Sequence, residues 1–150
     1  MPELDNSDIV KHVIQTLIDI SGRKTTKGQA LITMSELLSK LKNKYDFLKH
    51  IEIKDTRFLE MDEPVTIMTS LDNLKSNELS KALYDIIKTT NKSLGKDAGF
   101  FFIKELRKNL GESYALKVEE MGLDLGLMQL EFEINEISKK LWNLILDPTG

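Results

Sequence analysis

The sequence contains no cysteine, which excludes a disulfide framework, a thiol nucleophile and any metal site built on thiolates. Histidine is scarce, with only His12 and His50 present. No apolar run approaches the ~20 residues that a membrane-spanning helix needs. The opening MPELDNSD is acidic and has neither the basic nor the apolar region of a signal peptide, so a cytoplasmic setting is expected. For the same reason the sequon at Asn91-Lys92-Ser93 reads as chance. The motifs G-x-S-x-G, G-x-G-x-x-G, H-E-x-x-H and the P-loop do not occur. GLDLG at 122–126 is too short and too acidic to cradle a phosphate. No catalytic signature or cofactor box remains, and the expectation is a protein that is not an enzyme and needs no cofactor. Internal repeats, low-complexity tracts and linkers are also missing, which points to a single domain over 1–150.

What is present is an ordinary globular composition, 41% hydrophobic and 30% charged, in a 17.2 kDa chain. The net charge of −3 conceals an uneven distribution. Residues 22–54 hold eight Lys/Arg against three Asp/Glu, a local +5. Residues 112–136 hold seven Asp/Glu against one Lys, a local −6. The asymmetry gives either two solvated faces or a contact between them, within the fold or between subunits.

Ile9, Val10, Val13, Ile14, Leu17 and Ile18 follow the i, i+3, i+4, i+7 template and predict a helix over 7–21, capped by Asn6 or Ser7 and stopped at Gly22. GRKTTKG follows as a short basic, flexible link. Leu31, Met34, Leu37, Leu38, Leu41 and Tyr45 predict a second helix over 28–45, antiparallel to the first. At His50 the period falls to two, so His50–Lys54 and Val65–Met68, entered through Pro64, are expected strands pairing through a loop at Asp55–Glu63. Ser76 caps a predicted helix over 77–90, and another covers 112–121 up to Gly122. Residues 127–146 fit two patterns. Met128, Leu130, Phe132 and Ile134 alternate like a strand, whereas Leu127, Leu130, Ile134, Ile137, Leu141 and Leu144 fit a heptad. A strand at 127–134 followed by a helix at 136–146 is favoured, and the chain leaves that helix by way of Pro148. Between Gly95 and Gly111, the run Phe100, Phe101, Phe102, Ile103 points all around one helix capped by Asp97. That run predicts a central helix packed on several sides. The expected fold is therefore α+β: an N-terminal helical hairpin, a small mostly antiparallel sheet of about three strands, and helices around the Phe-rich helix.

Candidate chemistry is thin. His12 stands one turn after Asp8 and is expected on an exposed polar face. His50 and Glu52 would share a strand face and offer two metal ligands, with no motif for a third. The adjacent or alternate carboxylates Asp62/Glu63, Glu119/Glu120 and Glu131/Glu133 are expected in solvent, without the separated environments that acid–base work needs. The leading functional expectation is a non-enzymatic interaction or regulatory module that self-associates, with a protein partner as a variant. Trp142, Leu141 and Ile145 are its contact residues, because the C-terminal helix offers more apolar surface than one face needs. A second expectation, from a different class, is a ligand sensor with an apolar pocket near Phe101, Phe102 and Met121. A third is nucleic-acid binding through Arg23, Lys24, Lys27, Lys40, Lys42 and Lys44, against which the acidic chain as a whole argues.

In LGKDAGFFFIKEL and MGLDLGLMQLEFEI, the glycines Gly95, Gly99, Gly122 and Gly126 resemble the small-molecule-binding domain named after the vinyl reductases. Those domains place a Gly-containing helix before a glycine-rich turn into a strand. The resemblance implies a sensory or ligand-binding role. It does not reach the N-terminal half, and the Cys metal ligands of some such domains are absent here.

Overall fold

Isoleucine, valine and leucine cover more than one face of the first helix, and that helix lies at the centre of the molecule. The structure, a computed structural model, describes residues 5–53, 65–67 and 74–146. In α1 (Asn6–Lys24), Ile9, Val10, Val13, Ile14, Leu17, Ile18 and Ile20 are all exposed by 2% or less. α2 (Lys27–Leu41), α3 (Ser76–Leu94), α4 (Phe102–Leu110) and α5 (Glu112–Glu120) all pack against α1. A helix apolar on several sides must be wrapped on several sides. Polar Thr16 is accommodated by its own helix, donating from Oγ1 to the His12 carbonyl at 2.7 Å.

Gly22 does not stop α1, which runs on to Lys24 with Asp5 as its N-cap. Only Thr25 and Thr26 separate it from α2, so GRKTTKG is helical at both ends rather than a flexible link. The Thr26 hydroxyl accepts from the Gln29 amide at 3.1 Å and caps α2. α2 stops at Leu41, four residues before Tyr45.

A one-turn 3₁₀ segment, Asp46–His50, leads into β1 (Ile51–Ile53), which pairs antiparallel with β2 (Val65–Ile67). Ile51 stands opposite Ile67 and Ile53 opposite Val65. The expected strand pairing is thus present, beginning after His50. The proposed loop at Asp55–Glu63, with Asp62, and also Lys54, Pro64, Met68 and Pro148, lie outside the described residues. Leu79, Ala82, Leu83, Ile86 and Ile87 form the buried stripe of α3, as their spacing predicts, although Lys75 rather than Ser76 is the N-cap.

Two expectations are overturned. The Phe-rich stretch is not one helix. Gly95–Ala98 forms a 3₁₀ turn containing Asp97, and Gly99 then takes φ +80°, ψ 159°, which L-residues avoid. Phe100 and Phe101 follow in an exposed turn, and α4 begins only at Phe102. The central helix is α1 instead. Nor is there a strand at 127–134. Those residues belong to a single helix, α6 (Leu125–Leu146). Among the described residues the fold is mostly helical with one three-residue ribbon, not α+β around a three-stranded sheet. The glycine-rich turn that resembles the vinyl-reductase domain therefore leads into a helix.

Candidate interaction surface

The connection into α6 is built by local hydrogen bonds. At the end of α5, the Leu123 amide donates to the Val118 carbonyl at 3.1 Å and the Gly122 amide to that of Glu119 at 3.0 Å, with Gly122 at φ +110°. This is a Schellman closure, which needs a left-handed residue at Gly122. Two residues later the Asp124 carboxylate accepts from the Leu127 amide at 3.0 Å and starts α6.

α6 has two apolar faces. Leu125, Met128, Gln129 and Phe132 fall on one side at helical spacing and are buried or half-buried. This side is held by α4, by the Gln129 Nε2 donation to the Phe100 carbonyl at 3.0 Å, and by the Tyr84 hydroxyl donation to Glu131 at 2.9 Å. The Glu131 bond and burial together raise the Tyr84 pKa. Leu127, Leu130, Ile134, Ile137, Leu141 and Leu144 fall on the opposite side, each exposed by 50–69%. From Ile134 to Ile145 every residue is exposed, so this half of α6 stands clear of its own body. Trp142 lies outside the heptad row, in line with Met128 and Asn135 at i, i+7 spacing, while Ile145 borders the row. Leu141, Trp142 and Ile145 are all exposed.

The candidate ligand residues are not gathered around one cavity. Phe102 and Met121 are buried, and Phe101 is exposed with Lys104 Nζ 4.8 Å from its ring centre. A cleft of about 660 Å³ lies instead behind α6, lined by Lys88, Lys92, Lys96, Phe100, Phe132 and Lys139 among others.

The basic residues are also divided. Lys24 Nζ and Arg23 Nη2 reach Glu105 at 3.0 and 3.6 Å, and Lys44 Nζ reaches Asp85 at 2.9 Å. These pairs run to α4 and α3 rather than to the acidic 112–136 block. Lys27 opens α2 and Lys40 lies in its last turn, about 20 Å away along the axis, so the six cations form two groups. Lys42 belongs to the second group. His12, expected on an exposed face, is half-buried. Its Nε2 donates to the Leu110 carbonyl at 3.0 Å, and its ring stacks on Tyr114 at 3.8 Å. Among the described residues no group of three or more His, Asp or Glu is placed to hold a metal ion. No helix there is long and apolar enough to cross a membrane.

Sequence reasoning missed Asp85, which joins α3 to the turn after α2. Tyr45 donates its hydroxyl to Asp85 Oδ2 at 2.6 Å beside the Lys44 ammonium. Burial pushes the Asp85 carboxyl up, but hydrogen bonds from Tyr45 and Lys44 and the charges of Lys44 and Lys88 outweigh it, leaving the group below the usual carboxylate range. A depressed folded value stabilises fully above the unfolded value of about 4 and is lost as pH falls through the folded value. Asp85→Asn is therefore expected to lower stability by about 1 kcal/mol at pH 7, and urea titrations should show the gap closing below about pH 4. A gap independent of pH would contradict the assignment.

No protein-family model matches the chain, and comparison with curated proteins and with solved structures gives no match.

Proposed function

We propose that this chain is a non-enzymatic interaction or regulatory module that self-associates through α6. The observation that carries the reading is the row Leu127, Leu130, Ile134, Ile137, Leu141, Leu144. Its 3-4-3-4-3 spacing is that of a coiled-coil seam, and the row is exposed on the face turned away from the body. Contiguous exposed apolar surface of this kind marks a contact site. Light scattering is expected to give a mass near twice 17.2 kDa that falls toward 17.2 kDa on dilution. A mass of 17.2 kDa at every concentration would remove the reading.

A second reading, a small-ligand sensor, is supported by the cleft behind α6. Its lining combines Phe100 and Phe132 with Lys88, Lys92 and Lys96, which suits a ligand with an apolar part and an anionic group. A thermal-shift panel of aliphatic and aromatic carboxylates and phosphates tests it, and an unmoved Tm across the panel rejects it.

A further inference from the structure

The seam of α6 reads the same in both directions: Leu127, Leu130, Ile134, Ile137, Leu141, Leu144 is Leu-Leu-Ile-Ile-Leu-Leu. With Leu127 at heptad position a, the a positions are Leu127, Ile134 and Leu141 and the d positions are Leu130, Ile137 and Leu144. A parallel two-stranded coil favours β-branched residues at a and leucine at d. That division is missing here, since each set holds two leucines and one isoleucine.

The flanking charges add an independent preference. Glu133 and Lys140 both occupy g positions. A parallel pair sets each g residue against the partner's residue five further on, which places Glu133 against Ser138 and Lys140 against Ile145 and forms no ion pair. An antiparallel pair sets g against g. With the two-fold axis between residues 135 and 136, Leu127 meets the partner's Leu144, Leu130 the partner's Leu141 and Ile134 the partner's Ile137. Glu133 then meets the partner's Lys140, and the symmetry makes that pair twice. Within one chain, Glu133 Oε1 accepts from Gln129 Nε2 at 3.0 Å. The half of α6 that stands clear of its own body would lie along the anchored half of the partner's helix, so every seam residue is covered.

From the palindromic seam and the Glu133–Lys140 complementarity, we infer that the occupant of this face is a second copy of the chain in antiparallel orientation. This inference rests on the self-association reading and goes on to fix its geometry. The absence of native cysteine makes the test direct. Leu127→Cys and Leu144→Cys chains, denatured together, refolded and mildly oxidised, are expected to give the mixed covalent dimer, and each variant alone little of it. Efficient self-linkage of each single variant, with the dimer mass retained, overturns the antiparallel geometry while self-association stands. A monomer in light scattering overturns both. Charge exchange supplies a second measurement. Glu133→Lys and Lys140→Glu should each weaken the dimer about 5- to 30-fold, because attraction becomes repulsion at two sites. The double exchange should restore affinity to within about threefold, and failure to restore it overturns the register.

Discussion

Replacing Ile134 by glutamate is expected to leave the chain folded and to abolish the dimer at micromolar concentration. In the free chain Ile134 is 53% exposed and stands on the exposed half of α6, so monomer stability should move by less than about 0.5 kcal/mol. In the dimer the same residue is at the centre of the seam, and symmetry places it there twice. Burying one isoleucine is worth about 1.5–3 kcal/mol. Losing two costs about 3–6 kcal/mol, or roughly 10²–10⁴ in Kd, before the penalty for burying two carboxylates is counted. Sedimentation or light scattering across a concentration series reads the change, with circular dichroism confirming the helix content. A dimer that survives Ile134→Glu unchanged would place the contact off this row. Leu116, 47% exposed on α5 and outside the seam, is the control, and Leu116→Glu should leave the mass unaltered.

The helices of the core were legible because each buries one stripe, or in α1 several, at an unmistakable 3.6 period. Leu79, Leu83, Ile86 and Ile87 are buried where their spacing places them. The β1–β2 ribbon was legible from the alternation at Ile51 and Ile53. α6 was misread for a physical reason. Its N-terminal half carries two apolar stripes on opposite sides, Met128 and Phe132 toward the body and Leu130 and Ile134 away from it. Each stripe repeats every four residues, and the two are offset by two, so their sum alternates like a strand. The deciding signal was Asp124, three residues before Leu127 and placed to cap a helix rather than start a strand. The exposed heptad was therefore visible in sequence, but which of its residues remain uncovered was not. That depended on tertiary packing consuming Leu125, Met128 and Phe132. Tyr45, Asp85 and Lys44 could not be joined from sequence, since Asp85 is forty residues from Tyr45 and no local rule links them.

The same distinction between apolar and buried governs the phenylalanine run, where adjacent substitutions should differ most. Phe102 is 1% exposed at the first turn of α4, whereas Phe101 beside it is 56% exposed. Phe102→Ala removes a fully buried ring and leaves a cavity among packed neighbours, for an expected loss of about 3–5 kcal/mol. Phe101→Ala removes a ring that touches Phe100 edge-on at 5.0 Å, holds Lys104 Nζ 4.8 Å from its centre and is otherwise turned to solvent, and should cost about 0.5 kcal/mol or less. Urea denaturation reads both as changes in midpoint at constant slope. A Phe102 loss of this size is a large fraction of the about 5–15 kcal/mol that holds a domain together, so the variant's urea midpoint should fall far below that of the parent chain. Equal losses at the two positions would mean that the stretch folds as the continuous helix its composition favours. The unequal result would place the break at Gly99, where the backbone takes a conformation only glycine enters cheaply and Phe100 and Phe101 are turned out of the core before α4 begins.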